Sequence, residues 1–259
     1  MGAVEVDFDV QGEGPPLYMV HGIGSRKVTW SGLVPGLAER FTCVTYDLRG
    51  HGRSPVPPTP YTLDDLVDDL EALRKKLGHH TINIIGHSLG GMIGPAYARA
   101  HPERVASLGL LSTAAGRTAD DRAKLEDVGA AMEGKGIGPV LETFLERWYT
   151  DAFIRERPDA IEARRRQVVE TPADVFMSVF WIYARTEMGP WLHEIGCPCL
   201  VLTGELDGAC NPRLNRFMAD EIPDSELVIL EGLKHSILIE GPDRVLPPVR
   251  EFLLRRSTT

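Results

Sequence analysis

The residues best placed to do chemistry lie in Thr81-Ile82-Asn83-Ile84-Ile85-Gly86-His87-Ser88-Leu89-Gly90-Gly91. A β-branched apolar run ends there in Gly-x-Ser-x-Gly, followed by small residues and a helix-like segment. The pattern predicts a buried strand turning sharply into a helix, with Ser88 at the apex. Such a turn strains the apex residue and is tolerated only where its neighbours lack bulk, as Gly86 and Gly90 do. The strain lifts the Ser88 hydroxyl clear of the sheet. It also sets the N–H of Leu89 at a helix N-terminus, where negative charge is stabilised. A lifted hydroxyl beside an anion donor is the equipment of a nucleophile. The bland alternative, a Gly/Ser turn with no chemistry, is opposed by the strand before it, the helix after it and the double glycine.

The elements that must position this stretch alternate between strand and helix. Strands are expected within residues 1–9 (an edge strand), 17–20, 41–46, 105–111, 197–203 and 225–230. Helices are expected over 30–40, 61–77 with Thr62 at its start, and 242–254. The strand over 17–20 leads into His21-Gly22-Ile23-Gly24, and the next into Asp47-Leu48-Arg49-Gly50-His51-Gly52-Arg53-Ser54, where Asp47 and Arg49 are expected to pair locally. Two later strands end in Gly204-Glu205-Leu206-Asp207 and Glu231-Gly232-Leu233-Lys234-His235, and no histidine other than His235 follows Asp207. Between about 116 and 190 the strand rhythm stops. Thr171-Pro172-Ala173-Asp174 there reads as a helix start, with Thr171 as cap and Pro172 first. The helix after it is apolar nearly all round, so it must be covered on more than one side.

A chain of 259 residues, 43% hydrophobic, can bury a large core. One core over 1–115 and 191–259 with an inserted helical cap over 116–190 is expected rather than two domains. The formal charge of −9 argues against nucleic acid or an anionic membrane as partner. No stretch reaches the length of a transmembrane span, and the N-terminus lacks a signal-peptide pattern, so a cytoplasmic protein is expected. Cys43, Cys197, Cys199 and Cys210 show no paired C-x-x-C spacing, which fits a reduced compartment and no structural zinc site.

On Gly86-His87-Ser88-Leu89-Gly90, on the Asp47 to Ser54 loop (D-x-R-G-x-G-x-S) and on the strand ends at Asp207 and His235, the chain resembles the α/β-hydrolase family. The resemblance implies an α/β fold with a mostly parallel central sheet flanked by helices and an inserted helical cap. It implies a triad in the chain order Ser88, Asp207, His235, as nucleophile, acid and base. The second oxyanion donor would be the backbone N–H of Ile23, beside that of Leu89, with His21 holding the loop. His51 precedes Ser88, which the family order disfavours as base, and Glu205 lies nearer the strand than an acid should. No metal or organic cofactor is implied. A serine at position 88 argues against the dehalogenases and epoxide hydrolases of this fold, which use a carboxylate nucleophile.

Within the family the chain is most similar to the 3-oxoadipate enol-lactonase group. That similarity rests on Leu111-Ser112-Thr113-Ala114-Ala115, on Glu146-Arg147-Trp148-Tyr149-Thr150 and on Thr171-Pro172. A small-molecule ester or lactone is the implied substrate, and a homodimer is compatible with the sequence. The segment 176–183 is more aromatic than those lactonases suggest, which favours an uncharged ester or lactone with an apolar body. Trp148 and Trp181 are expected as pocket walls. Should the substrate carry a carboxylate, Arg147 and Arg185 are the expected partners. Two other classes are open: a carbon–carbon bond hydrolase of ring-cleavage products, and a ligand receptor that retains the triad.

Overall fold

The computed structural model describes residues 2–256; Met1 and residues 257–259, the outer ends of the expected core ranges, lie outside them. Seven strands form one sheet: β1 (Phe8–Gln11), β2 (Pro16–Val20), β3 (Thr42–Tyr46), β4 (Ile82–His87), β5 (Val105–Leu111), β6 (Cys199–Gly204) and β7 (Ser225–Leu230). Their order is β1-β3-β2-β4-β5-β6-β7. Only β1 runs antiparallel to its neighbour. Parallel strands are covered on both faces, so β2, β4 and β6 read as continuous apolar runs rather than alternating ones.

Each face has its own apolar layer. On one, α1 (Val34–Leu37), the short α10 (Ile237–Glu240) and α11 (Pro242–Arg256) bury Leu37, Ile237, Val245, Val249 and Phe252 with Trp30. On the other, α2 (Leu63–Lys76), α3 (Gly90–Ala100) and α9 (Pro212–Glu221) bury Leu66, Leu70, Met92, Ile93, Leu214 and Met218. Thr62 caps α2 in a reciprocal box with Asp65. The single helix expected over 30–40 is instead a 3₁₀ turn at Lys27–Trp30 and the four-residue α1. Gly32, Pro35 and Gly36 interrupt it, and a Cβ at Gly36 would press on Leu246 of α11.

Between β5 and β6, which pair directly with Leu108 opposite Cys199, the chain runs through five helices. They are α4 (Ala119–Lys135), α5 (Ile137–Trp148), α6 (Asp151–Glu156), α7 (Pro158–Glu170) and α8 (Ala173–Arg185). They share a cluster of their own around Met132, Leu145, Ile161, Val168 and Phe176. The all-round apolarity of α8 has its reason here. Val175, Val179 and Tyr183 join the sheet-side core, while Phe176 and Phe180 join the helical cluster. Thr171 does not cap α8; Pro172 holds that position without a side-chain bond. The Thr171 hydroxyl donates back to the carbonyl of Gln167 and accepts from Arg26, tying the end of α7 to the loop after β2. All four cysteines are buried and free, and among the described residues no helix is long and apolar enough to cross a membrane.

Candidate active site

Ser88 follows β4 with φ of 56°, one of two non-glycine residues with positive φ among those described. Its N–H donates to the Leu111 carbonyl at 2.9 Å. The turn is too tight for side chains. A Cβ at Gly86 would fall 2.1 Å from the Gly90 carbonyl oxygen, and one at Gly90 2.1 Å from that of Val20. The loop after β2 passes just as close, since a Cβ at Gly22 would lie 3.0 Å from that of Ser88. Neither Ile23 nor Leu89 donates its backbone N–H to an acceptor among the described residues.

Two buried histidines hold that loop from below. Nε2 of His21 accepts the N–H of Leu48 at 3.0 Å, and Nε2 of His51 accepts that of Gly24 at 3.1 Å. Acceptance at Nε2 places the proton on Nδ1, which donates to Gly22 and Arg49 carbonyls respectively. Burial lowers both rings to a pKa of about 3, so they stay neutral. His51 is thus occupied as a structural acceptor. The expected Asp47–Arg49 pair does not form. Asp47 accepts the backbone N–H groups of Lys27 and Arg53. Arg49 lies fully buried with two nitrogens on Asp69, at 2.6 and 2.7 Å. A buried guanidinium needs a two-pronged carboxylate, which α2 supplies and the loop does not.

Asp207 and His235 meet at the ends of β6 and β7. Nδ1 of His235 lies 2.9 Å from Oδ2 of Asp207. The other Asp207 oxygen accepts the N–H groups of Ala209 and Cys210 at 2.8 and 2.7 Å. Burial alone would raise the carboxyl, but the charge of His235 and these hydrogen bonds bring it below the ordinary carboxylate range. Burial, the largest single influence, works against the imidazolium, but the charge and hydrogen bond of Asp207 together with Cys210 outweigh it, pushing His235 up to about 10. His87, kept neutral by burial, donates Nε2–H to the His235 carbonyl at 2.9 Å. Glu205 is spent elsewhere, accepting the N–H of Gly232 in the turn before His235. The one group of potential metal donors among the described residues is Asp207, Cys210 and His235, within 4.8 Å of one another. Their atoms already bond each other and the Tyr183 hydroxyl.

Ser88 and His235 border one cavity of about 410 Å³. They are not hydrogen-bonded to each other here, and such contacts often tighten only around bound substrate. Ile23 and Trp148 line the same space. The Trp148 ring stacks on Phe144 at 5.2 Å and sits 6.4 Å from the His235 ring. Trp181, expected as a second wall, lies elsewhere. It packs on Gly129 of α4, donates to Glu133, and is covered by Arg185 at 3.9 Å. It occupies the outer side of α8, while Phe176, Phe180 and Tyr183 face the cavity.

Arg185 is likewise outside, paired with Glu126. The cations that do border the cavity are Arg117, Lys124, Arg147 and Arg164, against one acid, Asp121. Arg117 and Lys124 were missed by the sequence reasoning, which weighed Arg164 among the cap arginines but preferred Arg147 and Arg185. For Arg164 a signal existed, since Ile161, Arg164 and Val168 share one face of α7 and both apolar neighbours are buried.

A family model described as the alpha/beta hydrolase fold matches residues 15–242. The chain is 28% identical over 236 residues to 3-oxoadipate enol-lactonase 2 of Acinetobacter baylyi, covering 90% of this chain and 86% of that one. Among solved structures, a thermophilic esterase from Thermogutta terrifontis, with malate bound, superposes with a TM-score of 0.89 at 29% identity, covering 98% and 94% of the two chains. The enol-lactonase from Burkholderia xenovorans LB400 gives a TM-score of 0.89 at 27% identity, with 97% of each chain covered.

Proposed function

The chain belongs to the alpha/beta hydrolase fold family, and we propose that within it the protein is a serine hydrolase cleaving a carboxylic ester or lactone through an acyl-enzyme on Ser88. The observation that carries the reading is a strained serine bordering the same cavity as a histidine whose far nitrogen is fixed by a buried aspartate. Nε2 of His235 takes the Ser88 proton as Oγ attacks the carbonyl carbon. Asp207 fixes the tautomer and stabilises the imidazolium. The free N–H groups of Ile23 and Leu89 receive the developing oxyanion. His235 then protonates the leaving oxygen, and water deacylates the serine by the reverse path. Residues 116–190 act as the cap over this chemistry, contributing Trp148 to the pocket.

The aromatic count of 176–183 favours an uncharged substrate, whereas the cavity lining favours a charged one. Four cationic side chains against one acid support an ester or lactone that carries a carboxylate. The structural relative solved with malate, a dicarboxylate, is in keeping with that.

The test is turnover of p-nitrophenyl esters and a lactone panel, with mass spectrometry of the protein after a fluorophosphonate probe. Labelling is expected on Ser88, and Ser88→Ala is expected to lose at least about a thousandfold in kcat while staying folded. Turnover of a vinylogous diketone without ester activity would favour a carbon–carbon bond hydrolase. Ligand binding with no turnover of any kind would favour a receptor.

A further inference from the structure

Arg164 is the cavity cation with the most constrained surroundings. It reaches from α7 across to the loop after β2, where Nη2 donates to the Ile23 carbonyl at 2.9 Å and Nη1 to the Gly24 carbonyl. Its guanidinium lies 4.8 Å over the Trp148 ring. It takes part in no ion pair with a carboxylate among the described residues. Burial lowers its pKa to about 10, which still leaves it charged at neutral pH.

The loop it grips needs gripping. Ile23 sits between two glycines, and Gly24 has φ of 59°, so little in the backbone itself fixes the direction of the Ile23 N–H. From the core side, the Gly24 N–H is held by His51. From the cap side, the two carbonyls that follow the Ile23 N–H are held by Arg164. A second tie runs alongside, from Arg26 to the Gln167 carbonyl and the Thr171 hydroxyl. The loop is therefore clamped between a buried histidine and a cap arginine.

We propose that Arg164 is a positioning residue for the oxyanion donor: its two-pronged hold aims the Ile23 N–H, so the oxyanion site is complete only when the cap is seated. This rests on the reading of Ile23 as that donor. The unneutralised guanidinium also adds favourable field for an anion forming beside Ser88.

The experiment compares wild type, Arg164→Lys and Arg164→Gln in steady-state hydrolysis of a neutral p-nitrophenyl ester and in binding of an aryl boronic acid, which mimics the tetrahedral intermediate. In both variants kcat is expected to fall about ten- to a hundredfold, with KM moving less than about threefold. Boronate affinity should fall by the same factor as kcat, because both depend on the aimed N–H. Lysine keeps the charge and loses the fork, so it should recover only a minor part. A rise in KM at unchanged kcat would make Arg164 a substrate ligand and overturn the inference, as would unchanged boronate affinity. If neither variant folds, Arg26→Gln, which cuts the parallel tie, must give the same kcat-selective loss. Ser88→Ala is assayed beside them. An inactive Ser88→Ala with fully active Arg164 variants sinks this inference alone, whereas an active Ser88→Ala sinks the serine hydrolase reading beneath it.

Discussion

At the scale of single residues, the Asp207–His235 pair sets an unusual relation between pH, activity and stability. In the proposed mechanism His235 must be neutral to act as base, and its pKa is raised to about 10. Neutral imidazole therefore appears only at higher pH, and the acid limb of kcat/KM is expected above the ordinary histidine range of about 6 to 7. Stability runs the other way. A histidine raised in the fold stabilises fully below about 6.5 and loses that contribution as pH climbs towards its folded value. A lowered aspartate stabilises above about 3.8 and loses its contribution as pH falls through its folded value. The pair thus supports the fold best between roughly pH 4 and 6.5, where His235 is protonated and, on the proposed mechanism, idle. The melting temperature lost in Asp207→Asn should be largest in that window, and a pH–rate profile centred below 6.5 would contradict the raised histidine. The strained turn at Ser88 was legible from the sequence because Gly86 and Gly90 flank it at two positions on either side. The partner of Arg49 was not, because Asp69 stands twenty positions on in the next helix and nothing local announces it.

At the scale of elements, α8 separates what periodicity reveals from what it hides. The apolar run 175–183 told correctly that the helix is covered on two sides. It did not tell which aromatic faces the cavity, because that depends on the rotation of the helix against α4. Trp148 and Trp181 should accordingly behave differently on removal. Trp148→Ala is expected to change KM for aryl esters several-fold and to perturb His235, whose ring lies nearby. Trp181→Ala is expected to leave KM within about twofold and to cost stability of roughly 1–2 kcal/mol from lost packing on Gly129 and Arg185. Equal effects of the two on KM would put Trp181 back at the pocket. The broken helix at 27–37 was signalled by Gly32, Pro35 and Gly36, which an apolar-spacing rule does not weigh.

At the scale of the whole molecule, charge is distributed against itself. The chain carries −9 overall, yet its cavity borders four cations and one acid. An anionic substrate is repelled at long range and attracted once inside. Salt screens exposed charges over about 10 Å at 0.1 M and buried ones much less. Raising ionic strength from about 10 to 200 mM should therefore leave kcat/KM for a carboxylate-bearing lactone unchanged or higher, and Arg147→Ala should lower it. A neutral aryl ester preferred tenfold over its carboxylate analogue would return the cavity to the apolar reading. The strands were legible as short apolar and β-branched runs between helical patterns; their order in the sheet and the charge lining the cavity join residues far apart in the chain, and neither is displayed locally. Because β5 and β6 are hydrogen-bonded neighbours, the chain leaves and re-enters the sheet at one place, and the helices between them are expected to be exchangeable as a cassette. Swapping it for another of different length would cost closure entropy growing only with the logarithm of that length. The sheet would carry over untouched, provided the incoming cassette brings a donor to do for the Ile23 loop what Arg164 does.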